Sequence, residues 1–370
     1  MSTEASLKSS TKVVSSKSST KNNATTKPAV NTYERNNTAM NRPSTIFILA
    51  LALTFGAMAP VVCANAQERL RVAWAGGASN AAVWIVQEKG LMKKQGVNAE
   101  FISVNASPMA LQAMIAGEVD VIVTSVTTLV NSRLTGADVV MIVSIVPTFP
   151  AHIVTAKSVT DIKQLKGKTG GVGRAGTTTE IGMRLGLSRL GIDPNSDVKL
   201  VPVGATADAL AALSKGLVQF SILVEPFVRE AEKLGFKSLV DIGSLNIPFH
   251  WNAALTREAT IRSKGPLMAK FTRALVEAIH IFKTDKDATL KIISKFTRIT
   301  NPDSLERTHQ AFARLLPETP SPSPEGVKTY IDYLTANRPE AAKVNPKEFV
   351  DLSFIQEVQA SGFIRQLYGR

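Results

Sequence analysis

Two stretches decide how this chain is read: Leu165–Thr179, LKGKTGGVGRAGTTT, and Trp84–Gly117, WIVQEKGLMKKQGVNAEFISVNASPMALQAMIAG. Each sets a polar Gly/Ser/Thr turn where a strand hands over to a helix. Such a turn offers unpaired backbone N–H groups and hydroxyls to a small polar ligand. Neither stretch brings an evident nucleophile, metal cluster or acid–base pair. The chain reads as built to hold a small molecule rather than to transform it.

Outward from these stretches the same alternation continues. Leu70–Trp74 predicts a short strand, Gly76–Asn80 a turn and Ala81–Lys89 a helix closed by Gly90. Val97–Val104, Val119–Thr124 and Val139–Val146 read as strands, with helices over Pro108–Ala116 and Thr127–Leu134. Glycine at helix ends and hydroxyl residues at helix starts describe an α/β lobe with a largely parallel sheet. The pattern then repeats. Strands are expected at Lys168–Val172, Val198–Val203, Val218–Leu223 and Ser238–Ile242, with helices at Thr177–Leu190, Ala207–Ser214 and Phe227–Leu234. Two extended segments, Ala151–Ala156 and Trp251–Thr256, flank this second half and read as crossovers between lobes. From Ile261 the chain turns helical, with Leu267, Phe271, Leu275, Ile279 and Phe282 at core spacing. Pro317–Pro324 is a proline-rich surface loop.

The amino terminus has a different character. Residues 1–39 are Ser, Thr, Lys and Asn with few large apolar residues, a composition that cannot offset chain entropy and predicts disorder. Met40–Pro43 is a short basic start, Ile46–Ala59 an apolar run, and Ala64-Asn65-Ala66 an A-x-A site. That order predicts a secretory signal over 40–66, cut between Ala66 and Gln67, and so an exported protein. The run is short of the ~20 residues of a membrane span and ends at Pro60. A signal beginning 40 residues in makes Met40 the expected start and 1–39 a misassigned extension. Cys63, the one cysteine, falls inside the signal, after a poor match to a lipidation site. The mature chain then has no disulfide, cysteine-bound zinc or thiol nucleophile.

The mature chain has 304 residues, enough for two lobes with their own cores. Residues 1–66 hold seven Lys/Arg and two Asp/Glu of the total +13, leaving +8 scattered over the remainder. Basic residues neither cluster nor alternate with aromatics, which argues against nucleic-acid binding, while a mild positive field favours an anionic ligand.

Several segments carry a resemblance: Glu88–Val97 (EKGLMKKQGV), Leu111–Asp120 (LQAMIAGEVD), Leu165–Lys168 (LKGK), Gly176–Thr179 (GTTT) and Val224–Phe227 (VEPF). Together, in order over residues 70–260, they resemble periplasmic solute-binding proteins of the nitrate/sulfonate/taurine type, including the SsuA/THI5-like domain. The resemblance implies a two-lobed type II flytrap fold, each lobe a mainly parallel sheet flanked by helices. Lobe 1 would comprise 67–150 plus 257–370, and lobe 2 residues 151–256 including the crossovers. It implies a monomer serving an ABC importer, with a small-molecule ligand and with permease and ATPase subunits as partners. Neither a cofactor nor catalysis is expected.

Ligands of open α/β sheets bind at the carboxyl ends of strands, which selects the candidate binding residues. Gly77, Ser79 and Asn80 follow the first strand, in a loop that the resemblance implies contacts the ligand. Thr124, Ser125 and Thr127 end the third, with more hydroxyls than one helix cap needs. Gly176, Thr177, Thr178 and Thr179 form a turn and helix start suited to a carboxylate, sulfonate or phosphate. Glu225, before Pro226, can accept from an amine or amide. Trp74 and Trp251 are placed to wall the cleft, with His250 beside Trp251, whereas Trp84 reads as core. His152, His280 and His309 have no partners at metal spacing, so no metal site is expected.

Three competing readings are weaker. Gly171–Gly176 matches G-x-G-x-x-G, but the next strand ends VPVG without the acidic residue a ribose needs. Gly167-Lys168-Thr169 fails as a P-loop because Ile162 stands where glycine is required. Pyrimidine-forming enzymes of the same resemblance carry a cysteine-rich motif that the mature chain lacks. A ligand-binding subunit of a periplasmic sensor is not separable from transport by sequence.

Overall fold

The computed structural model describes residues 68–369; the expected leader, with Met40, Cys63 and the Ala66–Gln67 cleavage point, lies outside the described residues. Ten strands run in chain order: β1 Arg69–Trp74, β2 Asn98–Ser103, β3 Val121–Thr124, β4 Val139–Val146, β5 Ala151–Ala156, β6 Thr169–Val172, β7 Lys199–Pro202, β8 Phe220–Val224, β9 Phe236–Asp241 and β10 Asn252–Arg257. They form two five-stranded sheets, ordered β2-β1-β3-β10-β4 and β7-β6-β8-β5-β9. In each, one strand runs against the others: β10 is antiparallel to β3 and β4, and β5 to β8 and β9. The remaining pairings are parallel. Two mainly parallel sheets with the same strand order give the two-lobed α/β fold.

The segments read as crossovers are therefore strands. Each pairs in the sheet of the lobe that the chain has just entered. β10 belongs to the first sheet, so residues 252–256 join lobe 1 and not lobe 2. The connections themselves are shorter. Residues 147–150 and 247–251 run side by side, with Phe249 N–H donating to Pro147 O at 3.1 Å and Trp251 N–H to Val146 O at 2.9 Å. The Phe149 and Phe249 rings stack across this pair at 4.2 Å. Among the described residues, this aromatic-pinned double strand is the covalent route between the sheets.

β4, VVMIVSIV, is buried at every position, the signature of a strand covered on both faces. Its outer edge is met by Val350, and Asp351 N–H donates to Met141 O at 2.9 Å. The helix Glu258–Thr284 departs from helical geometry at Lys264, two residues before Pro266, whose ring and missing N–H break the ladder there. Beyond the bend, Leu267, Phe271, Leu275, Ile279 and Phe282 are buried on one face against the first lobe, as their spacing predicts. Burying each contributes about 1.5–3 kcal/mol. Helices Lys286–Thr297 and Pro302–Leu315 complete that core through Ile292, Ile293, Leu305 and Phe312. No helix among the described residues is long and apolar enough to cross a membrane.

Candidate functional site

A cavity of about 640 Å³ lies where the carboxyl ends of both sheets face one another. Its lining from the first lobe is the loop 75–79 after β1, Thr124 and Ser125 at the end of β3, and Ser107. The second lobe gives Thr178, Thr206 and the run 224–227 at the end of β8, with Glu230. The connecting strands supply Pro150, Trp251 and Asn252, and the C-terminal helices supply Phe296, Thr297, Ile299 and Phe312.

Helix starts dominate this lining. Ser107, Thr178 and Thr206 are the first residues of their helices, and Ser125 is the residue before its own. Ala106, Ser125 and Thr177, which precede three of these helices, make no side-chain cap. First-turn N–H groups without such caps, at the positive ends of helix dipoles, converge on the cavity from both lobes. The hydroxyls are already interlinked: Thr124 Oγ1 donates to Ser107 Oγ at 2.7 Å, and Ser125 Oγ lies 2.7 Å from Thr127 Oγ1. Each hydroxyl oxygen still has acceptor capacity.

Of the residues singled out by sequence, the cavity lining includes Gly77, Ser79, Thr124, Ser125, Thr178, Glu225 and Trp251. The others lie outside it. Asn80 is fully buried; its Nδ2 donates to Ala75 O at 2.9 Å and Gly77 O at 3.2 Å, while its Oδ1 accepts from Asn252 Nδ2 at 3.1 Å. It shapes the loop from beneath, where Gly76 turns with φ +101°. Thr127 supports Ser125. Trp74 packs edge-on against Trp84 at 5.4 Å and Phe296 at 5.9 Å, so Phe296 and not Trp74 meets the cavity. Trp84 is core, stacked on Phe296 at 4.8 Å.

In the turn after β6, Gly176 has φ +79° and lies outside the lining. Thr177 Oγ1 donates back to Arg174 O at 2.7 Å, and Thr179 Oγ1 is 3.3 Å from it. A Cβ on Gly173 would stand 2.3 Å from both threonine hydroxyls, so these side chains fill the turn itself. His250 is also displaced from the expected role. Its Nδ1 meets Ser144 Oγ at 2.6 Å and its Nε2 meets Ser323 O at 2.9 Å, which pins the proline-rich loop to β4. Burial pushes its pKa down to about 4, against the weaker opposing pull of Ser323 O.

Glu225 is 5% exposed at its side chain. Its Oε2 accepts from Arg229 N–H at 3.3 Å, and its Oε1 lies 3.6 Å from Arg307 Nε. Burial raises its pKa and Arg307 opposes the rise. Arg307 sits on helix Pro302–Leu315, which packs in the first lobe, and its Nη2 also pairs with Glu232 at 3.1 Å. The same helix sends Asp303 to Arg229 and Arg314 to Asp241, the latter at 2.7 Å. A row of ion pairs thus closes one side of the cleft between lobes. Among the described residues no three His, Cys, Asp or Glu side chains form a metal-holding group.

The NMT1/THI5-like family model matches residues 78–288, more than half of the chain and the whole span between the first cavity loop and the helices behind it. The chain belongs to the NMT1/THI5-like family. Its fold is that of periplasmic binding proteins. The aliphatic sulphonate binding protein SsuA of Escherichia coli superposes with TM-score 0.65 at 18% identity, over 77% of this chain and 92% of that one. The alkanesulfonate-binding protein SsuA of Xanthomonas axonopodis, bound to MOPS, gives 0.63 at 16%, over 77% and 98%. The nitrate-binding protein NrtA of Synechocystis gives 0.62 at 14%, over 79% and 88%. No curated protein matches by sequence.

Sequence reasoning missed Ser107, Thr206 and Glu230 in this family member. The first two carry the same signal as Thr178, a hydroxyl residue at the start of a helix after a strand. Phe296 and Phe312 gave no signal, because apolar residues on amphipathic helices read as core wherever they face, and Ile299 lies in the short connection between those helices.

Proposed function

We propose that this chain is the extracytoplasmic solute-binding component of an ABC importer, capturing a small organic anion or zwitterion between its lobes and delivering it to a permease. One observation carries the reading: a single cavity takes its polar lining from the strand ends and helix starts of both sheets, with the connecting strands at its base. A ligand that bridges two lobes binds the closed arrangement better than the open one and so drives closure. Residues 147–150 and 247–251, joined by the Phe249 N–H to Pro147 O hydrogen bond, are where that motion is absorbed. The closed form is what the permease reads. ATP is consumed by a separate subunit, in keeping with the failed P-loop match here.

No chemistry on the ligand is required. Helix starts and hydroxyls orient and hold it, the aromatic residues Trp251, Phe296 and Phe312 cover its apolar part, and nothing in the lining is arranged as a nucleophile with its base. The structural relatives named for sulphonate and nitrate binding support a periplasmic location and an anionic group on the ligand. Thermal-shift screening of residues 67–370 against a library of small solutes tests the reading. A cognate solute at 100 times its Kd adds about 2.7 kcal/mol to stability. A library of organic anions, zwitterions and pyrimidines that leaves the melting point unmoved would overturn it.

A further inference from the structure

The lining is electrically one-sided. Glu225 and Glu230 are its only ionisable residues, and no Lys, Arg or His belongs to it. A pocket meant for a bare anion would seat two carboxylates against its own ligand. Glu225 is also incompletely partnered. Its contact with Arg307 is 3.6 Å, longer than a charge-assisted hydrogen bond, and its contact with Arg229 N–H is 3.3 Å. Arg307 is committed more closely to Glu232, at 3.1 and 3.2 Å. Arg229 is committed to Asp303 and Glu232. A nearly buried carboxylate with acceptor capacity to spare thus faces a cavity whose other polar groups are hydroxyls, helix starts, the Asn252 amide and a second carboxylate, Glu230.

We propose that the ligand carries a protonated nitrogen head, a primary ammonium or an amidine-type group, which seats on Glu225 with Glu230 adding to the field, while its electron-rich end meets Ser79, Ser125 and Thr178. This rests on the solute-binding reading and narrows it to amine-bearing solutes, zwitterions above all. A cation at Glu225 stabilises the ionised carboxylate that burial disfavours. An alkylsulphonate or nitrate brings no such group and leaves Glu225 buried without a full partner. The apolar cover of Phe296, Ile299 and Phe312 suits a short carbon skeleton between the two ends.

Matched probe pairs test this by calorimetric titration: taurine against 1-propanesulfonate, 4-aminobutyrate against pentanoate, and benzamidine against benzamide. In the wild-type chain at least one member with a protonated nitrogen is expected to bind about tenfold or more tighter than its partner, the discrimination of one hydrogen bond to a charged group. Glu225→Gln is expected to erase that ratio, and Glu230→Gln to reduce it while folding normally. The wild-type ratios need no variant and so do not depend on Glu225→Gln folding. If the partners without a protonated nitrogen bind equally or better, or if Glu225→Gln folds and keeps the ratio, the assignment of a cationic head is overturned and the solute-binding reading stands. If no probe binds here and no solute in the wider library binds either, both are overturned.

Discussion

Thr177 and Thr178 are neighbours in one GTTT turn, yet the structure gives them different work. Thr178 is the first residue of helix Thr178–Arg189 and lines the cavity. Thr177 spends its hydroxyl on Arg174 O at 2.7 Å, outside the lining. On the proposed site, Thr178→Ala removes a hydrogen bond to a charged ligand oxygen, worth roughly 1.5–3 kcal/mol, so affinity should fall about tenfold to a hundredfold. Water replaces the ligand oxygen in the open cleft, so the melting point of the free chain should barely move. Thr177→Ala removes an internal bond with a net value of about 1 kcal/mol. It should lower the melting point by about 2 °C in a chain of this size and change affinity less than about threefold. Calorimetric titration with the solute identified by screening, and thermal melts of both variants without it, separate the two. Equal loss of affinity in both variants would refute the assignment of Thr177 to the turn. Unchanged affinity in Thr178→Ala would remove Thr178 from the site.

Three further outcomes follow from the packing. His250 stays neutral in the folded chain to about pH 4, while in the unfolded chain it protonates near 6.5. The unfolded state therefore binds more protons between these values, and stability should fall by about 3 kcal/mol as pH drops from 6.5 to 4, then level off. Denaturant titrations across that window should show a clearly smaller acid loss for His250→Gln. Ligand should change tryptophan emission through Trp251, which lines the cavity, so Trp251→Phe should silence the response and Trp74→Phe should keep it; the reverse pattern would misplace the cleft. The ion pairs from helix Pro302–Leu315 to the second lobe are partly exposed and screened by salt. Arg307→Ala should therefore weaken ligand binding and flatten its dependence on ionic strength, with less than about 1 kcal/mol lost in stability. Binding that keeps its full salt dependence in this variant would count against a role for the row in closure.

The alternation of strands and helices was legible because each element carries its own local signal: apolar runs such as β4, hydroxyl starts and glycine ends. Boundaries agreed to within a few residues. What was not legible depends on long-range partners. Ala151–Ala156 and Trp251–Thr256 read as extended, but only pairing shows that they are central strands running against their neighbours. Which hydroxyl of Thr177–Thr179 faces the ligand turns on the phase of one helix, which three identical side chains cannot reveal. His250 and Trp251 follow the alternation of an extended chain, in which adjacent side chains point to opposite faces; one meets the cavity and the other is buried against Ser144. Glu225 was singled out by its place before a helix, whereas Glu230, on the helix itself, resembled any surface acid. The absence of a cation from the lining is a property of the whole cavity, and no single segment contains it.

The central claim is that this chain binds one small solute between its lobes and releases it unchanged. Native mass spectrometry of residues 67–370, after incubation with the solute that most raises the melting point, tests it most directly. The account predicts one adduct per chain, with the bound species equal in mass to the free solute after prolonged incubation. A bound or released species of altered mass, accumulating with time in proportion to protein, would contradict it.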